Sequence, residues 1–248
     1  MKISTVAVIL LNSAVLAFSV WAMTQAVQSP LFTLKVVEVS GTGEDSPVTA
    51  DELIQVAAVP VDRINLFSLD LDPIEKRLLT HPWIRKVHLE KQFPQTLVIV
   101  PEFREVKAVI ISMQGKVSYV DATGTVFGRV KSGSAGGFPV FSARIHQGGT
   151  DLIRRCLGLI EAFEQQVGQV ARIESLEEEG PRGIQGWISY PLQSDRARAQ
   201  VIFPSQDSLA DLGKVRSVVK YLSERQISVS QIWADLGKKI VVKIARRF

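Results

Sequence analysis

Residues 81–100 read His81-Pro82-Trp83-Ile84-Arg85-Lys86-Val87-His88-Leu89-Glu90-Lys91-Gln92-Phe93-Pro94-Gln95-Thr96-Leu97-Val98-Ile99-Val100. Over 83–90, Val87 and Leu89 fall on one side of an extended chain and His88 and Glu90 on the other, the alternation of a half-buried strand. Residues 96–100 are nearly all β-branched or aliphatic and predict a second strand. Gln92-Phe93-Pro94-Gln95 between them predicts the turn of a β-hairpin.

Working upstream, Pro82 stops a helix whose start is Asp72-Pro73-Ile74-Glu75: a capping carboxylate, proline at the first helical position and an acidic first turn. Ile74 and Leu78 give that helix its buried face. Before it, Thr49-Ala50-Asp51-Glu52 is a capping box, with Leu53, Ile54, Val56 and Ala57 as the apolar side of the helix it starts. Residues 34–39 are valine-rich and predict a strand closed by Ser40-Gly41-Thr42-Gly43. The order is strand, helix, helix, strand, strand, a small α+β unit with two helices on one face of a short sheet. Leu53, Leu78, Val87, Leu89, Leu97 and Ile99 are its expected core.

Residues 3–34 contain no charged side chain. The strongly apolar part, 3–23, is about 21 residues or roughly 31 Å as a helix, enough to cross a bilayer core. Lys2 precedes it and the next cation is Lys35, so a transmembrane signal-anchor over 3–25 is expected, with residues 1–2 in the cytoplasm and the rest outside. Trp21 falls where an interfacial aromatic is favoured. The rival reading is a cleaved secretory signal, with Thr24 and Ala26 as small residues at the cleavage site. The run exceeds the usual core of such a signal, although Asn12 and Ser13 interrupt it. Both readings export the bulk of the chain.

Downstream, Asp121 to Gly124 predict a turn between strands and 132–137 a flexible glycine- and serine-rich loop. An amphipathic helix over 150–163, strands over 187–190 and 199–203, and a helix marked by Leu212, Val215, Val219 and Leu222 follow. The chain closes with a strand over 231–236, the turn Gly237-Lys238-Lys239, and the strand Ile240, Val241, Val242, Lys243, Ile244. This second unit predicts a mixed α/β domain with a mainly antiparallel sheet.

His81-Pro82-Trp83-Ile84 before the hairpin and Phe93-Pro94-Gln95-Thr96-Leu97 within it resemble a POTRA domain, and more narrowly that of the bacterial division proteins FtsQ and DivIB. Tyr119-Val120-Asp121-Ala122-Thr123-Gly124-Thr125-Val126-Phe127 resembles that family's "L-V-D-x-x-G-x-V-F", and Phe138-Pro139-Val140 its "L-P-V". Asp235-Leu236 and Val241-Val242-Lys243 match its closing pattern across a shorter link. Glu102 stands one position early, and Val106 replaces the usual proline. The resemblance implies a transmembrane anchor, a POTRA domain over 32–101 and an FtsQ-type β domain over 102–248. It also implies a single-pass inner-membrane protein at the division septum, with its bulk periplasmic.

The sequence offers little chemistry. His81, His88 and His146 lie at no metal-ligand spacing, so no metal or cofactor is expected. Cys156 stands on the apolar face of a helix and is expected to be a buried small residue. The match of Ser217-Val218-Val219-Lys220 to S-x-x-K, and of Lys131-Ser132-Gly133 to K-[ST]-G, has the wrong order for penicillin-binding enzymes and lacks their asparagine-bearing motif. A formal charge of +4 spread along the chain, without a basic block, argues against nucleic-acid binding. An enzyme with a small-molecule substrate is not expected.

What remains is binding through surfaces. The last strand is β-rich and has no later strand to cover it, so at a sheet edge it could accept a partner strand. Lys243, Arg246 and Arg247 are equally standard edge defences, and the residues alone leave the two readings even. The resemblance favours binding: it implies FtsB- and FtsL-like bitopic partners, a link to the septal peptidoglycan synthase complex, and contact through Gly237, Lys238, Lys239, Ile240, Val241, Val242, Lys243 and Ile244. A POTRA-containing assembly factor not dedicated to division is the alternative.

Overall fold

The computed structural model describes residues 12–21, 24–25, 29–43, 46–130, 136–180, 183–193, 195–203, 212–234 and 239–244. The chain folds as two compact units, Met1–Arg104 and Glu105–Phe248.

The expected transmembrane helix over 3–25 is corrected. A helix, α1, covers residues 12–21, and residues 24–25 are helical as well. Among the described residues no helix is long and apolar enough to cross a membrane. Residues 3–11 and 22–23 of the expected anchor lie outside the described residues.

The rest of the first unit follows the sequence closely. Strand β1 (Val36–Val39), helices α2 (Ala50–Ala57) and α3 (Asp72–Leu79), and strands β2 (Ile84–Gln92) and β3 (Thr96–Phe103) appear in the expected order. Thr49 caps α2, its Oγ1 accepting the Glu52 N–H at 3.3 Å. At α3 the capping carboxylate differs: Asp72 is already helical, and Asp70 Oδ1 accepts the Asp72 N–H at 3.1 Å. The sheet order is β1-β3-β2, with β1 parallel and β2 antiparallel to the central β3. Leu53, Leu78, Leu97 and Ile99 are fully buried in one core, and Val87 and Leu89 pack against it half-buried. Arg77 joins the helices by donating from Nε and Nη2 to the Ala57 carbonyl, which ends α2.

The second unit carries β4 (Val106–Ile111), β5 (Val117–Asp121), β6 (Val126–Phe127), β7 (Val140–Phe141), helices α4 (Ala143–Gln147) and α5 (Gly149–Val167), then β8 (Arg172–Gly180), β9 (Gly183–Pro191), β10 (Arg196–Ile202), α6 (Leu212–Glu224), β11 (Val229–Trp233) and β12 (Val241–Ile244). Among the described residues these strands form one sheet in the order β12-β11-β10-β9-β8-β7-β4-β5-β6. Parallel pairs stand at β10–β11, β7–β8 and β4–β7, and the other pairs are antiparallel. One core holds the apolar stripes of α5 and α6 against the sheet, with Ile153, Phe163, Val215 and Val219 meeting Ile188, Val201 and Ile232. Cys156 is fully buried there. The acidic run 177–179 lies within β8, where Glu177 accepts the Trp187 indole N–H at 2.6 Å.

Candidate partner-binding edge

Of the residues expected to bind a partner, Gly237 and Lys238 lie outside the described residues. Lys239 and Ile240 lead into the strand, and Val241, Val242, Lys243 and Ile244 form it. β12 ends the strand order: it pairs with β11, and among the described residues no strand covers its other side.

The direction of each main-chain group at this edge follows from the register. Trp233 stands opposite Val241, Ile232 opposite Val242 and Gln231 opposite Lys243, after which a bulge at Ser230 precedes the pair Val229 and Ile244. Ser230 fills the bulge by donating its hydroxyl to the Lys243 carbonyl at 3.1 Å. On the far side of β11, the Ala234 N–H donates to the Ile202 carbonyl at 3.0 Å. Both groups of one strand residue point to the same side, and successive residues alternate. Ile232 and Ala234 therefore face β10, while Gln231 and Trp233 face Lys243 and Val241. The N–H and C=O groups of Val242 and Ile244 are left on the open edge.

The side chains alternate in the perpendicular direction. Ile240, Val242 and Ile244 line an apolar groove of about 510 Å³ with Ser217, Val218, Tyr221 and Leu222 of α6 and with Ile227. Tyr221 is 54% exposed and Ile244 66%, so the groove is open to a partner's side chains. An edge of free amides beside an apolar groove can hold an extended segment by main-chain bonds and read its alternate side chains. Lys239, Val241 and Lys243 are exposed.

The edge rests on a fixed base. The buried Tyr190 of β9 donates its hydroxyl to the Ile227 carbonyl at 3.0 Å and accepts the Val229 N–H at 3.1 Å. Burial pushes its phenol above the ordinary tyrosine range, while the bond from Val229 pulls the other way.

Reading the sequence found the strand but missed the α6 wall and the Ser230 bulge. The wall had a signal: Val218, Tyr221 and Leu222 stand three and four apart, a second apolar line beside Leu212, Val215 and Val219. The bulge had none, since an extra residue in a ladder shows only against its partner strand. Ser217, of the S-x-x-K match, donates to the Gly213 carbonyl at 3.1 Å within its own helix, while Lys131, Ser132 and Gly133 lie outside the described residues. His81 Nε2 sits 3.3 Å from Glu52 Oε1. Among the described residues no three His, Cys, Asp or Glu side chains gather as a metal site.

Comparison with known proteins bears on this arrangement. A family model described as "POTRA domain, FtsQ-type" matches residues 32–100. A "Cell division protein FtsQ" of Myxococcus fulvus is 31% identical over 128 residues, 52% of this chain and 42% of the relative. That of Syntrophotalea carbinolica is 24% identical over 182 residues, covering 73% and 64%. That of Geobacter sp. strain M21 is 25% identical over 237 residues, covering 92% and 82%. The chain thus matches less than two thirds of the length of the first two relatives and most of the third.

Proposed function

Because this chain belongs to the FtsQ/DivIB family of bacterial cell-division proteins, we propose that it is a non-enzymatic scaffold of the division machinery that captures a partner by strand addition at β12. It works outside the cytoplasm at the division septum; the uncharged run over 3–34 favours export, and the division proteins it resembles favour the septum. Its partners are FtsB- and FtsL-like division proteins, and through them it helps recruit and regulate septal cell-wall synthesis. The observation that carries the binding mode is the pair of outward main-chain donors, Val242 and Ile244, beside the groove under α6. Strand addition draws on main-chain bonds, so alanine at exposed Lys243 should change capture little.

The test is proline at Val242. It deletes one outward donor and leaves the Trp233–Val241 and Gln231–Lys243 pairs to hold β12 in place. Capture of an FtsB-like segment should fall at least tenfold while circular dichroism and melting of the chain stay close to native. Full capture by a folded Val242→Pro chain would exclude strand addition here.

A further inference from the structure

Three phenylalanines far apart in sequence meet on the surface of the first unit. Phe32 ends a single 3-10 turn, Pro30–Phe32, Phe67 lies between α2 and α3, and Phe93 stands in the β2–β3 turn. Their ring centroids are 4.8 Å (Phe32–Phe67), 4.4 Å (Phe67–Phe93) and 6.1 Å (Phe32–Phe93) apart. The cluster is no extension of the core: Phe67 is 42% exposed, Phe93 48% and the adjoining Leu31 68%. Nor is it loose. The Leu66 N–H donates to the Phe32 carbonyl at 2.7 Å, Asn65 Nδ2 to the Ser29 carbonyl at 3.3 Å, and the Phe67 N–H to Asn65 Oδ1 at 2.9 Å. These bonds tie the segments of Phe32 and Phe67, and the Lys35 N–H on the Gln95 carbonyl holds the turn of Phe93, so aromatic surface faces outward.

Two observations say what covers it. The patch begins inside the uncharged run 3–34, so the chain reaches it directly from apolar sequence. Ten residues upstream, in α1, Val15, Leu16, Phe18, Val20 and Trp21 are each 58–70% exposed. A stretch of exposed apolar side chains followed by an exposed aromatic platform matches a lipid surface, where aromatic rings settle at the boundary of headgroup and acyl chain. The rim has the complementary charge. Lys91 Nζ donates to the Phe67 carbonyl at 3.4 Å, and Lys35 is tied by its N–H to the Gln95 carbonyl at 2.9 Å, beside the Phe93 turn. Ammonium groups at the edge of an apolar patch favour anionic headgroups.

We infer that the tip of the first unit formed by Leu31, Phe32, Phe67 and Phe93 docks onto the surface of an anionic bilayer, fixing how the domain stands on the membrane. This rests on the reading that the chain works at the cell envelope. It requires no helix to cross the membrane.

The test uses the full chain bound to vesicles of phosphatidylethanolamine and phosphatidylglycerol. An environment-sensitive fluorophore is placed through Gln92→Cys, beside the patch, or through Thr80→Cys, the C-cap of α3 four residues before β2 begins, β2 itself spanning about 26 Å. Cys156 is buried and stays unlabelled. At position 92, lipid-borne nitroxide should quench several fold more than at position 80, and aqueous iodide several fold less. Adding Phe67→Ser and Phe93→Ser should return position 92 to the behaviour of position 80; both rings are exposed, so the fold should hold. Equal quenching at the two positions, or no response to the double serine change, would overturn the proposal. So would a shift at position 92 without vesicles that grows with protein concentration, which marks contact between two copies. Complementation of a division-defective strain is scored separately. A chain that supports division with position 92 in water sinks only the lipid contact, and one that fails division with position 92 in lipid sinks only the division reading.

Discussion

The phenol oxygen of Tyr190 accepts the main-chain N–H of Val229 at 3.1 Å, tying the start of β11 to β9 across the intervening β10. Tyr190→Phe leaves that N–H and the Ile227 carbonyl without their partner inside the fold, and should cost about 1–3 kcal/mol in denaturant unfolding. The loss should centre on β11 and β12, seen as faster amide exchange there than in β8 and β9.

The same residue makes a pH prediction. Burial raises the phenol's pKa in the folded chain, so on raising the pH the unfolded chain releases this proton first. The unfolded state then binds fewer protons than the folded one, and stability falls as pH rises above about 10. Full stability is present below that pH. Tyr190→Phe should remove this part of the alkaline decline, so the melting-temperature curves of the two proteins should converge at high pH.

Proline at Val241 should act opposite to proline at Val242. Val241 faces Trp233 within the ladder, so its loss breaks a bond between β11 and β12. Val241→Pro should lower stability by about 1–3 kcal/mol and release β12, whereas Val242→Pro should spare stability. Thermal melts of the two variants side by side check the assigned directions. Equal destabilisation would mean that Val241 and Val242 do not alternate as their register with β11 requires.

Leu97 is fully buried at the centre of the first unit, on the strand that both others pair with. Leu97→Ala should destabilise that unit by about 2–5 kcal/mol. Because the second unit has its own core, unfolding should separate into two transitions, with only the first moved.

Gly186 faces Leu176 in the β8–β9 pairing, beside an irregularity in that register. A Cβ there would collide with the Ser175 carbonyl oxygen and come within 2.7 Å of the Leu176 side chain. Gly186→Ala should cost about 1–3 kcal/mol, measured by urea unfolding, because backbone cannot swing aside as a side-chain tip can.

Much of this molecule was legible in its residues. The Thr49 cap, the Pro73 start, the alternation of Val87 and Leu89 and the apolar line of α6 are local patterns, set by hydrogen bonds and side-chain periods within a few positions. They gave the element order of the first unit and the fully buried Leu53, Leu78, Leu97 and Ile99. The anchor over 3–25 shows the limit of such reasoning: hydropathy counts apolar residues, whereas spanning requires one continuous helix of sufficient length, and no helix among the described residues has it.

Everything that gives the surface its use came from long-range contacts. β-branched composition made β12 a strand, but its place at the end of the order came from β11 pairing with β10 on one side and β12 on the other. The register opposite β11 set which β12 amides face outward, because Ala234 turns to β10 and leaves Trp233 and Gln231 to face Val241 and Lys243. Phe32, Phe67 and Phe93 became one platform only when the 3-10 turn, the helix connection and the hairpin turn closed together. Sequence by itself determined which segments become helix or strand and which face of each is apolar, since those depend on neighbours along the chain. Tertiary structure alone decided which edge stays open, which amides it presents and which rings share a surface, since those depend on residues that the chain brings together from separate elements.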